Sequence, residues 1–293
     1  MRMKIVLILQ SVICSVSDTR DRSEMRELEG KIAIVTGSGS GLGRSIAQAF
    51  AEEGASVVIA DINAERAEKV AQGIKSKGGT ALAIETDVST LDSVNRMVQQ
   101  ILSEFGKIDI LVSNAGLGWL SDSLDDPSHR LVENLTEVEW DRLMGVNLKG
   151  FFFCAKAVIP TMKKKRSGVI ISIASTAAFT GSSGEGGSGF HYNVSKAGIV
   201  NLNKTLALQL GPYNIRVNCI SPGAIAGADP DGTQTTGMLS TPEENQQLLK
   251  TIPLRRIGIP RDIANVAVFL ASDRSGYIHG TTIDVNAGRL IRH

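Results

Sequence analysis

KIAIVTGSGSGLGRSIAQAF, residues 31–50, sets a β-branched run against a glycine-rich turn and then a helical period. Ile32 to Val35 reads as a buried strand ending at Thr36, and the apolar spacing from Gly43 to Glu53 predicts a helix. Gly37, Gly39 and Gly41, with Gly43 behind them, permit a tight turn and close approach of another backbone or of a ligand. The segment Gly37, Ser38, Gly39, Ser40, Gly41, Leu42 and Gly43 therefore reads as a cradle. Its helix presents N-terminal N–H groups where a pyrophosphate would lie. A glycine-rich turn alone has conformational explanations; the strand before it and the helix after it are what point to a dinucleotide.

The next strand ends in VVIAD and places Asp61 24 residues beyond Gly37. That is close to the ~20-residue spacing at which a carboxylate accepts hydrogen bonds from ribose hydroxyls. It would also repel a 2′-phosphate, so NAD is expected rather than NADP. Asp is a good helix N-cap as well, and Asp61 is expected to cap the helix that follows. Strand-like runs recur at Ser56 to Ala60, Ala81 to Thr86, Ile108 to Val112, Gly168 to Ile173, Arg216 to Ile220 and Thr281 to Val285. Helical patterns separate them near Ala64 to Lys77, Ser89 to Phe105, Val138 to Lys164, Tyr192 to Leu210 and Arg261 to Ser272. This alternation predicts an α/β fold: a single doubly wound Rossmann-type domain, with a seven-stranded parallel sheet flanked by helices. The longest loop, about Pro222 to Pro242, belongs to a candidate substrate lid over about 222–250.

Of the 293 residues 42% are hydrophobic and 21% charged, enough to bury a large core, which excludes a disordered chain. A net charge of +1 supplies no field for a polyanion, so no nucleic-acid partner is expected. Cys14, Cys154 and Cys219 form no CxxC pair, and His129, His191, His279 and His293 show no HExxH spacing; no metal is expected. Residues 1–16, MRMKIVLILQSVICSV, resemble a signal-peptide core but are too short to cross a bilayer, which takes about 20 apolar residues. Residues 1–27 therefore read as an N-terminal extension, disordered or artefactual, with Met25 as an ordinary start. Residues 28–293 form the domain, in the cytoplasm and without a membrane anchor.

HYNVSKAG places Tyr192 and Lys196 four apart on a predicted helix, hence on one face. A phenol with pKa ~10 is a poor base at neutral pH. An ammonium ~5 Å away, at an effective dielectric near 20, would favour the phenolate by about 3 kcal/mol. Lys196 is therefore expected to bring Tyr192 towards its working range.

With its TGxxxGxG turn and this YxxxK pair, the chain resembles the short-chain dehydrogenase/reductase family over about residues 28–288. The resemblance implies catalytic roles for Asn147, Ser175, Tyr192 and Lys196, with Ser172 as the alternative serine. Asn147 would hold a water that relays protons through Lys196, which would also bind the nicotinamide ribose. Asp87 and Val88 would contact adenine. Asn114, Ala115 and Gly116 match the family's NNAG turn, with Ser113 replacing its first Asn. Pro222, Gly223 and Ile225 match PG-x-I-x-T, with Gly227 where the family has Thr. Ser40 stands where NADP users often carry a basic residue. Ser175 and Tyr192 lie 17 positions apart, an excess over the family spacing that falls in GSSGEGGSGFH. The helices near Val138 and Tyr192 would pair subunits into a homotetramer or dimer.

The expected activity is NAD-dependent interconversion of a secondary alcohol and a ketone, with Tyr192 as general acid/base and oxidation as the favoured direction. From Ala224 to Leu249 there is no Lys or Arg, while Asp229, Asp231, Glu243, Glu244, Asp122, Asp125 and Asp126 are acidic. A neutral small-molecule substrate follows: a polyol, sugar, terpenoid or steroid. The alternatives are a ketone reductase like the 3-oxoacyl-carrier-protein reductases, and a non-catalytic dinucleotide sensor. KKKR at 163–166 reads as a solvated helix end, Phe151 to Cys154 as core, and Trp119 and Trp140 as packing or substrate-facing residues.

Overall fold

The computed structural model describes residues 26–118, 131–181, 189–228, 234–236 and 242–292. Its strands are β1 (Ile32–Thr36), β2 (Ser56–Asp61), β3 (Thr80–Glu85), β4 (Ile110–Ser113), β5 (Gly168–Ile173), β6 (Ile215–Pro222), β7 (Gly227–Ala228), β8 (Gln234–Thr236) and β9 (Thr282–Val285). Seven of them pair in parallel in the order β3-β2-β1-β4-β5-β6-β9. All seven are the strands expected from the β-branched runs. Central strands β1, β4 and β5 are buried throughout, which is why they read as unbroken apolar stretches instead of alternating ones.

The helices are α1 (Gly41–Glu52), α2 (Ala64–Lys75), α3 (Leu91–Phe105), α4 (Glu137–Met144), α5 (Gly150–Lys165), α6 (Phe190–Leu210), α7 (Pro242–Thr251) and α8 (Pro260–Ala271). Two cores result, one on each face of the sheet. On one, Ile46 and Phe50 of α1, Val70 of α2 and Leu270 of α8 bury against Val35, Val57 and Ile59. On the other, Met97 and Ile101 of α3, Val158 and Met162 of α5 and Leu206 of α6 bury against Ile34, Val58, Leu111 and Ile170. The order reverses between β1 and β4, and the crevice beyond their carboxyl ends is where such a sheet binds ligands.

Two features differ from expectation. Helix α7 occupies the second half of the expected lid, and Thr-Pro-Glu-Glu at 241–244 is the helix-start pattern that predicts it. The short antiparallel pair β7–β8 lies in the first half. The stretch read as one helix from Val138 is α4 and α5 joined through a π turn at Gly145–Lys149. Glu137–Lys165 as a whole is long and apolar enough to cross a membrane. In the fold its residues Phe151, Cys154, Val158 and Met162 are core instead. Residues 1–25, Trp119, the acidic 122–126 segment, Asp229 and Asp231 lie outside the described residues.

The end of α5 is exposed at Lys164, Lys165 and Arg166, as the KKKR reading expects, and Lys165 also pins it to the sheet. Asp109 accepts the Ile32 N–H at 2.9 Å, lies 3.2 Å from Lys107 and pairs closely with Lys165, which also reaches the Ile108 carbonyl at 3.0 Å. Lys163 stacks over Tyr213. Burial pushes the Asp109 carboxyl up, but the Lys165 and Ile32 hydrogen bonds outweigh it and hold the group below the usual carboxylate range. A carboxylate depressed in the folded state stabilises above its unfolded pKa of about 3.9 and loses that contribution as pH falls. Asp109→Asn should therefore cost about 1–3 kcal/mol at pH 7. Urea midpoints of the two proteins should converge as the pH is taken below about 4.

Candidate active site

The glycine turn is shaped by what stands behind it. Gly37 has φ +62°, and a Cβ on it would lie 2.7 Å from the Ala115 Cα. At Gly43 a Cβ would stand 2.2 Å from the Gly37 carbonyl oxygen and 2.6 Å from Asn114 Nδ2. Asn114 is the brace: Nδ2 donates to the Thr36 and Gly37 carbonyls at 2.9 and 3.1 Å. The Thr36 hydroxyl accepts the N–H groups of Asn114 and Ala115 at 3.1 and 3.0 Å. Ser38 is buried and donates to the Val35 carbonyl, while Leu42 packs on the core. Ser40 caps α1 in extended conformation with no side-chain cap bond.

Asp61 does not cap the next helix. That role falls to Asn63, whose side chain accepts the Arg66 N–H, because Asp61 is the last residue of β2 and lies too far upstream. Its carboxylate holds the turn instead, accepting the Gly39 N–H at 2.8 Å and the Asn63 N–H at 3.0 Å. Asp87 orders the start of α3 by accepting both the N–H and the hydroxyl of Ser89, and Val88 is buried. At the far side β6 ends at Pro222, Gly223 donates to the Val285 carbonyl at 3.0 Å, and buried Ile225 bridges to Gly258. Gly227 lies in β7. A pyrophosphate needs backbone N–H groups and no Cβ in its way, and this turn fits a dinucleotide on both counts.

Helix α6 packs on β5 and β6 and carries Tyr192 and Lys196, with Lys196 reaching the end of β5. The Ser175 hydroxyl faces the Tyr192 phenol closely enough to hold its pKa down. Ser175 also caps a short 3₁₀ turn, Thr176–Phe179, accepting the Ala177 N–H at 3.1 Å. Ser172 is excluded from the site: it is fully buried and bonded to Asn203 in the core. Lys196 is buried, its Nζ donating to the Ile173 carbonyl at 3.0 Å and lying 5.5 Å from the Tyr192 ring centre. A Cβ on Gly116 would approach both Asn147 Oδ1 and Lys196 Nζ, so the three positions converge.

Two expectations change here. Burial pushes the Tyr192 phenol above its usual pKa, and the Ser175 hydroxyl only partly opposes this. Burial also brings the Lys196 ammonium down to about 8, with Cys219 acting the other way. The lysine thus does not dominate the phenol: both groups are desolvated, and the ammonium is directed at a carbonyl. The Asn147 side chain is likewise committed. Its Oδ1 accepts the Leu117 N–H at 2.8 Å, and Nδ2 donates to the Leu117 carbonyl and to Ser195 Oγ, each at 3.1 Å. Both Nδ2 donors are used, so a water held by Asn147 would have to donate to its Oδ1 or to its backbone carbonyl. The π turn in which Asn147 sits breaks the ordinary helical ladder there.

Sequence reading passed over Thr36, Ser195 and His191. Thr36 and Ser195 were visible as polar residues beside motif positions; nothing signalled His191. It is 2% exposed, near Phe190 and Glu139, and neither ring nitrogen has a hydrogen-bond partner among the described residues. Burial lowers its pKa, with Glu139 opposing. The folded state then binds fewer protons than the unfolded one, so stability should fall as pH drops through about 6.5. His191→Phe should flatten this acid limb, as read by urea midpoints between pH 7.5 and 5.5; an unchanged slope would contradict the assignment. Gly43→Ala should weaken NADH binding by more than about 10-fold in a fluorescence titration, since the methyl has no space beside the Gly37 carbonyl.

Residues 37–289 match the family model described as Enoyl-(Acyl carrier protein) reductase. The chain is 39% identical over 259 residues to 3-oxoacyl-[acyl-carrier-protein] reductase FabG of Staphylococcus epidermidis, covering 88% of this chain and 98% of the relative. Among solved structures it resembles 3-ketoacyl-(acyl-carrier-protein) reductase from Brucella melitensis complexed with NADH, with a TM-score of 0.75 and 37% identity, over 90% of this chain and 100% of that one. It also resembles 7α-hydroxysteroid dehydrogenase complexed with NADH and 7-oxo glycochenodeoxycholic acid, with a TM-score of 0.77 and 36% identity, over 92% and 98% of the two chains. With a seven-stranded parallel sheet and a match of this extent, the chain belongs to the short-chain dehydrogenase/reductase family and is an NAD(P)-dependent oxidoreductase acting on CH–OH groups.

Proposed function

We propose that this enzyme reduces the ketone of a 3-oxoacyl thioester to a secondary alcohol, with Tyr192 as the proton donor. The approach of Ser175 to the Tyr192 phenol, with Lys196 Nζ 5.5 Å from the ring centre, carries the reading. The bound nicotinamide would supply the hydride to the carbonyl carbon. Ser175 Oγ accepts the Ala177 N–H, which leaves its one hydroxyl hydrogen for Tyr192 or for the incoming carbonyl oxygen. A phenol held neutral by burial is suited to give its proton to an oxygen that gains negative charge. The phenol serves the reductive direction as proton donor, and the same pair run in reverse serves the oxidation expected from the sequence. Lys196 is placed to replace the phenol proton, its own pKa of about 8 being near the working range.

The carrier-protein reductases among the relatives support a thioester substrate over the neutral polyol, sugar, terpenoid or steroid expected from the lid charges. Asp229 and Asp231 of that lid, and Asp122, Asp125 and Asp126 beyond it, lie outside the described residues. Asp61 beside the glycine turn supports NAD over NADP, and NADH in two similar structures agrees with a nicotinamide cofactor. The reading includes residues 28–293 as one catalytic domain with its lid near 222–250, and a cytoplasmic homotetramer or dimer. Exposed Val138, Phe152, Val194 and Leu208 on α4, α5 and α6 support subunit pairing.

Tyr192→Phe should lower kcat for acetoacetyl-CoA reduction by about 100- to 10,000-fold, the usual range for a general acid, with NADH affinity unchanged. Stopped absorbance at the reduced-cofactor band and a fluorescence titration separate the two. Turnover within a few-fold of the parent would remove Tyr192 from the mechanism. A neutral cyclic ketone reduced far faster than acetoacetyl-CoA would overturn the thioester assignment.

A further inference from the structure

The last described residue of the chain is packed over the turn that carries Ser175. Arg292 sets its guanidinium carbon 3.6 Å from the centre of the Phe179 ring, at stacking contact. Its Nε–H donates to Asp284 Oδ2 at 2.7 Å, a second nitrogen lies 2.6 Å from the same oxygen, and that nitrogen reaches the Thr282 carbonyl at 3.4 Å. Asp284 and Thr282 belong to β9, so the arginine is anchored on the edge strand. Asp284 is the register partner of buried Ser221 on β6, one residue before Pro222.

Phe179 closes the 3₁₀ turn that starts after Ser175. Within the turn Ala178 donates to the Ser175 carbonyl at 3.0 Å. Beyond it, Thr180 accepts from Asn193 Nδ2 at 2.9 Å, a tie to α6 next to Tyr192. Arg292 provides the tie on the opposite side, to the sheet edge. We infer that Arg292 is a positioning residue, whose stack on Phe179 and bridge to Asp284 fix the Ser175 turn so that the serine hydroxyl meets the Tyr192 phenol. This rests on the reading of Ser175 and Tyr192 as the proton-donating pair.

A planar guanidinium can stack and bridge at once; a lysine ammonium can only bridge. Reductions of acetoacetyl-CoA at saturating NADH would compare the parent with Arg292→Ala, Arg292→Lys, Phe179→Leu and Tyr192→Phe. Arg292→Ala and Phe179→Leu should each lower kcat by about 10- to 100-fold, as expected for a reacting group displaced by up to an ångström. NADH affinity should stay within about twofold, since the glycine turn is untouched, and Arg292→Lys should fall between Ala and the parent. Because the Ser175 hydroxyl restrains the phenol pKa, loosening its turn should move the alkaline limb of kcat to higher pH. A lowered kcat with an unmoved alkaline limb would reduce Arg292 to a stability role and overturn the inference. Parent-like kcat and pH profile in Arg292→Ala and Phe179→Leu, with Tyr192→Phe inactive, would overturn it while leaving the proton-donor reading intact. An active Tyr192→Phe would overturn that reading itself.

Discussion

The desolvation of Tyr192 and Lys196 on one face of α6 is the constraint on which the chemistry depends. Removing two ionisable groups from water favours their neutral forms, by amounts comparable to the attraction that a pair at this distance could supply. In this fold burial prevails, so the phenol keeps its proton and the ammonium is weakened. The groups around them respond to that condition. Ile173 offers a carbonyl to the lysine, Ser175 a hydroxyl to the phenol, and Ser195 and Asn147 tie the helix to the loop after β4.

The dinucleotide end rests on a different constraint, the lack of space for a Cβ. Gly43 is pressed on the Gly37 carbonyl, and Asn114 fills the same gap from β4. Both halves of the site thus meet where β1 and β4 part, with Asn114 bracing the turn on one side and Gly116 touching the space of Asn147 and Lys196 on the other. A cofactor lying along that crevice would present its reacting end to the Ser175 and Tyr192 pair. The fold thus brings the motif glycines and Lys196, far apart in sequence, to one crevice.

Much of this was legible in the sequence because buried parallel strands leave unbroken β-branched runs, and because motif spacing survives folding. All seven sheet strands follow from such runs, and Ser172, the alternative to Ser175, is bonded to Asn203 in the core. What failed was whatever depends on three-dimensional burial. Charge spacing alone made Lys196 depress the Tyr192 pKa, whereas the degree of desolvation that reverses the sign cannot be read from residues four apart. Asp61 read as a cap because Asp caps helices; the structure needed it for the Gly39 N–H. Arg292 was invisible for a similar reason, since its partner Phe179 lies 113 positions away and neither belongs to a motif.

The central claim is that burial keeps the phenol protonated in the ligand-free enzyme. It is tested most directly by titrating Tyr192 itself, using ¹³C-labelled tyrosine NMR with the resonance assigned by its loss in Tyr192→Phe. The account predicts a midpoint above the ordinary phenol value of about 10. A midpoint well below it would mean that Lys196 governs the pair after all, and the proton-donor account would have to be abandoned.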